Sequence, residues 1–331
     1  MTPRPLAECD EALSVRYDAA LLDLDGVVYV GADAVPGAAD AVRGARRAGM
    51  RIAFVTNNAS RSPEDVADQL NLLGITADPG EVATSAQAAA RVLSDRVEPG
   101  GAVLVVGGPG LVAAVTAAGF RVVHSADDAP AAVVQGYSAE TAYRDLAEAT
   151  LALRAGALWV VANRDATMPS VRGQVPGNGA LVAAVAVATG RQPLVAGKPE
   201  CALHLESVAR VGARRPLVVG DRLDTDIAGA NAAGCDSLLV LTGVTDVESL
   251  CAAVAIERPT YLSADLRGLL VKHSGAVVRD GVATCGRHVA TWQDGEVVVA
   301  TSGETDGDDD GLDAIRVRVA LTWHRADAAG S

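Results

Sequence analysis

The chain has 331 residues, half of them apolar, which is enough for two or three domains with substantial cores. Its formal net charge of −13 excludes sequence-independent nucleic-acid binding and docking on an anionic membrane, both of which need a Lys/Arg surface. Five cysteines without a CxxC pair read as reduced thiols, and residues 1–18 carry no apolar core of a secretory signal, so a cytoplasmic protein is expected.

In chain order, the first clear element is a buried strand over residues 19–24, an apolar run ending in Asp23-Leu24-Asp25-Gly26. Residues i and i+2 of a strand point the same way, so both carboxylates face one crevice. That arrangement calls for a hard cation or an acid/base division between them. A second strand over 52–55 runs into Thr56-Asn57-Asn58, and Ser60-Arg61-Ser62-Pro63-Glu64 supplies a helix entry just after it. Residues 100–120 carry no charge over about the length of a membrane span, yet Gly107-Gly108-Pro109-Gly110 divides them into a strand, a turn and a helix. Those glycines lack the Gly-Lys-Ser/Thr ending of a phosphate loop.

Strands over 132–134 and 158–161 follow, then a short one at 194–195 that leads directly into Ala196-Gly197-Lys198-Pro199. The strand over 217–219 ends in Gly220-Asp221, with Asp224 and Asp226 close behind, and another strand covers 238–241. If the strands at 19–24, 52–55, 194–195, 217–219 and 238–241 share one parallel sheet, the polar clusters after them converge at its carboxyl ends, where ligands of open α/β sheets bind. Asn58 and Lys198 stand 140 positions apart, far more than the dozen or so residues one crossover needs.

The expected fold is therefore α/β: a Rossmann-like doubly wound parallel sheet core over 1–85 and 191–272, with a large α/β cap inserted at 86–190. A small C-terminal α+β extension covers 273–331. At 59 residues this tail is small for an independent core, so it is expected to pack on the rest of the protein or on a partner. Its Asp306-Gly307-Asp308-Asp309-Asp310-Gly311 mimics the start of a calcium-binding loop, but Val317 stands where the closing Glu belongs, so a solvated acidic loop is expected.

Each motif alone has a plain reading: strand-end aspartates as turns, Asn58 as helix entry, Lys198 as a turn lysine, the acids at 221–226 as helix caps. Together they fit one reaction, phosphoryl transfer through a carboxylate nucleophile. Asp23 attacks phosphorus and also binds Mg²⁺; Asp221 and the backbone carbonyl of Asp25 supply further oxygens, a set that Mn²⁺ also accepts. The Asp25 carboxyl protonates the leaving oxygen and later takes a proton from the hydrolytic water. Thr56 with Asn57 and Asn58 contacts the phosphoryl oxygens, and Lys198 adds a fixed positive charge. Asp226 is placed one layer out, holding Lys198 or a metal-bound water.

In order and position these four motifs resemble those of the haloacid dehalogenase-like phosphatases. The large insertion, with Leu241-Thr242-Gly243-Val244 and Pro259-Thr260-Tyr261, resembles their NagD-like subfamily over roughly residues 17–272. The resemblance implies the same roles for Asp23, Asp25, Thr56, Lys198 and Asp221, and a homodimer formed through the cap. Asn163-Arg164-Asp165-Ala166-Thr167-Met168-Pro169 and Pro176-Gly177-Asn178-Gly179 are similar to the subfamily's cap-to-core segments, which contact the leaving group; Arg164 departs from the proline often found there. The cap is short of aromatic platforms, which favours a small aliphatic monoester, glycerol 3-phosphate or phosphoglycolate, over pyridoxal phosphate or a nucleotide. A phosphotransferase, or a phospho-ligand sensor whose tail recruits a partner, are the rival expectations.

Overall fold

The computed structural model describes residues 6–170, 172–302 and 310–329. The chain divides into two compact units, one of residues 1–53, 73–75 and 211–331, the other of 54–72 and 76–210.

In the first unit the strands Tyr261–Ser263, Asp236–Val240, Pro216–Gly220 and Ala19–Asp23 lie side by side in that order, all parallel. Leu21, Leu22, Leu217, Val219, Leu238 and Leu239 are completely buried. This burial explains why the strands read as unbroken apolar runs rather than alternating ones. Because they are parallel and in register, Ala19 opposite Pro216 and Leu217 opposite Asp236, Asp23 and Asp221 emerge at the same end.

The tail forms a second layer in this unit. Val277–Arg279, Val282–Cys285, His288–Gln293 and Glu296–Thr301 make an antiparallel meander, with Asp280-Gly281 and Asp294-Gly295 turning at positive φ. The helix Asp313–Ala329 has two buried faces. Val317, Ala320 and Leu321 pack on Ala283, Cys285 and Ala290 of the meander. Val319 and Trp323 pack with Leu239, Leu250 and Leu262 of the parallel layer, and the Trp323 indole N–H donates to the Leu250 carbonyl at 3.0 Å. Of the two expectations for the tail, packing on its own chain is what is found. Residues 306–309 of the acidic loop lie outside the described residues.

A buried ion cluster ties this helix down. The Arg316 guanidinium, 1 % exposed, donates to Asp310 (2.6 Å), Asp313 (2.8 Å) and the Leu262 carbonyl (3.0 Å). The Cys285 thiol donates to Asp313 at 3.2 Å, and burial with that contact pushes the thiol up to about 12. Burial raises the Asp310 pKa, but the hydrogen bonds and charge of Arg316 outweigh it and hold the carboxyl below its usual range.

In the second unit five parallel strands run in the order Leu194–Val195, Leu158–Val161, Ala132–Gln135, Ala102–Val106 and Arg121–Val123. The fully buried Trp159 centres a core with Leu104, Val133 and Leu153. The Phe54–Thr56 part of the strand Arg51–Thr56 pairs in parallel with Val82–Thr84. Gly107 and Gly108 make the turn between Ala102–Val106 and the helix Pro109–Ala117, as the sequence indicates. One expectation is corrected. Leu194–Val195 pairs with Val160 and Val161 at the edge of the five-stranded sheet, and the Ala196 N–H donates to the Val161 carbonyl. Two residues carry no periodicity, and partial exposure suits an edge strand. Among the described residues no helix is long and apolar enough to cross a membrane.

Removing the Arg316 guanidinium leaves buried carboxylates without their counter-charge, so Arg316→Ala is expected to cost about 3 kcal/mol of stability in urea denaturation. Asp310 is ionised more easily when folded, so its contribution is present above the ordinary carboxylate pKa and lost as pH falls through the depressed value. A variant as stable as wild type at neutral pH would contradict the assigned role.

Candidate active site

The first cluster belongs to the first unit. Asp23 ends its strand, Asp221 follows Gly220, and Asp226 sits in the single π-helical turn Leu223–Ile227, where the Ile227 N–H donates to the Arg222 carbonyl five residues back. Asp23, Asp221 and Asp226 each place a carboxylate oxygen within 4.8 Å of the others. Asp221 and Asp226 are 1 % exposed, Asp23 is half-buried and Asp25 is exposed.

Glycines make room for this crowding. A Cβ on Gly243 would lie 1.9 Å from Asp221 Oδ2, one on Gly26 would lie 2.5 Å from the same oxygen, and one on Gly220 would lie 2.1 Å from the Asp226 Cβ. Gly26 also turns the chain at φ +83°, a conformation side chains resist. The loop after Asp236–Val240 then fastens the arrangement. The Val244 N–H donates to Asp221 Oδ2 at 2.7 Å, the Thr245 N–H to the Asp221 carbonyl at 3.1 Å, and the Thr242 hydroxyl to the Gly26 carbonyl at 2.5 Å. The Arg222 N–H donates to Asp226 Oδ2 at 3.1 Å.

Two carboxylates at such separations repel by roughly 3–4 kcal/mol at an effective dielectric of about 20. Backbone N–H groups offset part of that. The remaining demand, three hard oxygens in a space that glycines keep open, fits a small divalent cation such as Mg²⁺ or Mn²⁺. The sequence suggests Asp226 as a group one layer out from the cation; the π-helical turn brings one of its carboxylate oxygens within 4.8 Å of oxygens of Asp23 and Asp221.

The second cluster belongs to the second unit. Thr56 and Lys198 are buried, 5 % and 4 % exposed. Asn57 Oδ1 accepts from the Lys198 N–H at 2.8 Å, and Asn57 Nδ2 donates to the Lys198 carbonyl at 3.2 Å. The same Nδ2 faces Asp165 Oδ1 and Oδ2 at 3.4 and 3.5 Å. The Asn57 carbonyl accepts from the Ser85 hydroxyl (2.6 Å) and the Asn163 amide (2.7 Å), and Asn178 donates to the Asn163 carbonyl at 2.7 Å. Asn58 is exposed, and its side chain accepts from the Ser60 N–H and hydroxyl, so it serves the helix entry; its N–H donates to Thr56 Oγ1 at 3.1 Å. Arg164 is exposed. The sequence gives no sign of Ser85, which opens a helix capped by Thr84 and Gln87.

The profile described as Haloacid dehalogenase-like hydrolase matches residues 20–121, and a HAD-hydrolase-like profile matches 195–269. The D-glycerol 3-phosphate phosphatase of Mycobacterium tuberculosis is 47% identical over 320 residues, covering 95% of this chain and 88% of its own. The chain belongs to the haloacid dehalogenase-like hydrolases, in their NagD-like subfamily. An acid sugar phosphatase of Staphylococcus aureus is 39% identical over 71% of this chain and 90% of its own. The crystal structure of a glycerol phosphate phosphatase from Mycobacterium tuberculosis, in complex with magnesium, superposes with a TM-score of 0.86 at 46% identity, covering 95% of this chain and 92% of that one. This haloacid dehalogenase-like enzyme is a phosphoric monoester hydrolase with a Rossmann-like parallel core, an α/β cap and a C-terminal extension.

If Gly243 is what lets Asp221 into the cluster, Mg²⁺ raises the melting temperature of the wild type and fails to do so for Gly243→Ala. Equal metal-induced shifts in the two proteins would contradict it.

Proposed function

We propose that this enzyme hydrolyses glycerol 3-phosphate to glycerol and inorganic phosphate, with Mg²⁺ held by Asp23, Asp221 and the backbone carbonyl of Asp25, and with Asp226 beside them. The observation that carries the reading is the carboxylate triad, whose strand-end member, Asp23, is its least buried. A carboxylate that must meet a substrate has to be reachable, while those that only hold a cation do not. The substrate rests on the similarity to the mycobacterial glycerol phosphatase along nearly the whole chain, and on a cap poor in aromatic platforms.

Asp23 attacks phosphorus and the glycerol oxygen departs, forming an aspartyl phosphate; Asp25 gives its proton to that oxygen. Water then attacks the phosphorus, Asp25 takes its proton, and Asp23 returns as carboxylate. When bound, Mg²⁺ neutralises the charge that otherwise keeps the phosphate dianion from the nucleophile. The exposure of Asp25 suits a group that meets first an alcohol and then water. The Thr56 hydroxyl, the nearby backbone N–H groups and the Lys198 ammonium receive the phosphoryl oxygens. On this reading 1–85 and 191–272 form the catalytic core, 86–190 the cap that selects the leaving group and closes a homodimer, and 273–331 an extension; the enzyme works in the cytoplasm.

The test is phosphate release from glycerol 3-phosphate, phosphoglycolate, pyridoxal phosphate, a nucleoside monophosphate and an aryl phosphate. Each is measured with Mg²⁺ and with EDTA, for wild type and Asp23→Asn. Glycerol 3-phosphate is expected to give the highest kcat/KM, with loss in EDTA and at least about a thousandfold loss in the variant. Preference for an aromatic substrate would overturn the substrate, and an active Asp23→Asn would overturn the nucleophile.

A further inference from the structure

Asn57 follows Thr56, for which a phosphate contact is proposed above, and its position invites the same role. Its hydrogen bonds assign it another. A side-chain amide has two N–H donors and one acceptor oxygen. One donor goes to the Lys198 carbonyl, and the other points between the two oxygens of Asp165. The amide nitrogen is thus turned toward oxygens already in place, and the amide oxygen, which accepts from the Lys198 N–H, offers an anion nothing. The orientation of the amide is settled by its partners, because a backbone N–H must meet oxygen and a backbone carbonyl must meet nitrogen.

We infer that Asn57 is a positioning residue that acts through Lys198: its side chain clamps both backbone polar groups of the lysine and so sets where the buried ammonium is delivered. The inference rests on the proposed role of Lys198 in receiving phosphate. Three features support it. The clamp is two-point, and two hydrogen bonds to one residue fix orientation as well as distance. The partner is shaped for it, since a Cβ on Gly197 would lie 2.6 Å from Asn57 Oδ1 and 2.4 Å from the Ala162 carbonyl, so only glycine lets this backbone approach. Asn57 is itself held, because its carbonyl is gripped by Ser85 and Asn163. Asn163 lies two residues before Asp165 and bonds to Asn57 from the other side of the same segment. One residue thus ties the threonine segment, the lysine and the cap segment 163–165 together.

A double-mutant cycle on phosphate release tests this, with Asn57→Ala, Lys198→Ala and the double variant, all with Mg²⁺ and a common substrate. Asn57→Ala is expected to lose on the order of 100-fold in kcat/KM, the scale of a misplaced catalytic group. Lys198→Ala is expected to lose at least as much, and the double variant no more than Lys198→Ala alone. Gly197→Ala, which pushes on the clamp from its other side, should lose activity in the same way and add nothing to Asn57→Ala. The Mg²⁺-induced melting shift stays at its wild-type size throughout, because the carboxylate cluster is untouched; its loss in Asn57→Ala would mean a general collapse and overturn the inference. A double variant showing the product of the two single losses would also overturn it, since Asn57 would then act on its own. Wild-type turnover in Lys198→Ala would remove the proposed role of Lys198 and the inference with it. Should Asn57→Ala not fold, the cycle is run with Asn57→Asp, which keeps the bond to the Lys198 N–H, gives up the donor to its carbonyl and faces Asp165 with a like charge; it is expected to follow the alanine variant.

Discussion

Three carboxylates held within 4.8 Å of one another are the constraint on which the first unit is built. Left alone, Asp23, Asp221 and Asp226 would repel, and the surrounding chain is arranged to withstand that. Parallel strands deliver Asp23 and Asp221 to one end. A π-helical turn, rather than a regular helix start, brings in Asp226. Gly26, Gly220 and Gly243 remove the side chains that would collide with them, and the N–H groups of Arg222 and Val244 point at their oxygens. Such an arrangement costs folding stability, and it gathers three hard oxygens that suit a small divalent cation. The fully buried leucines and valines of the same strands supply the compensating stability.

The second unit answers a different problem, the placement of a buried lysine. Lys198 follows an edge strand of two residues, too short to fix the chain after it. Rigidity comes instead from side-chain amides, with Asn57, Asn163 and Asn178 each bonded to a neighbour's backbone. Polar networks of this kind are costly when half-satisfied and rigid when complete.

Much of this was legible in the sequence because buried parallel strands leave an unmistakable trace, short apolar runs that stop at Asp or Thr. Residues 19–24, 52–55, 217–219 and 238–241 each lie over an observed strand, and the uncharged stretch 100–120 separates into strand and helix at its glycines. What escaped had a physical reason. Leu194–Val195 gives no sign of which sheet it joins, because two residues cannot declare a partner. The nearness of Asp226 to Asp23 and Asp221 leaves no trace in the residue spacing, because the turn that carries it is π-helical. The tail helix hid its role because burial on two faces erases the amphipathic stripe that marks an ordinary surface helix. The Asp-Gly pairs at 280–281 and 294–295 were a usable signal for the meander. The clamp formed by Asn57 left none, since it spans 141 positions of sequence.

The central claim, that Asp23 becomes covalently phosphorylated during turnover, is open to direct measurement. Borohydride added during steady-state hydrolysis of glycerol 3-phosphate reduces an acyl phosphate to an alcohol, and peptide mass spectrometry then locates the change. Conversion of Asp23 to homoserine, dependent on substrate and Mg²⁺ together, is the expected result. Turnover that leaves Asp23 unmodified while another carboxylate is reduced would contradict the assignment of the nucleophile and, with it, the purpose given to the carboxylate cluster.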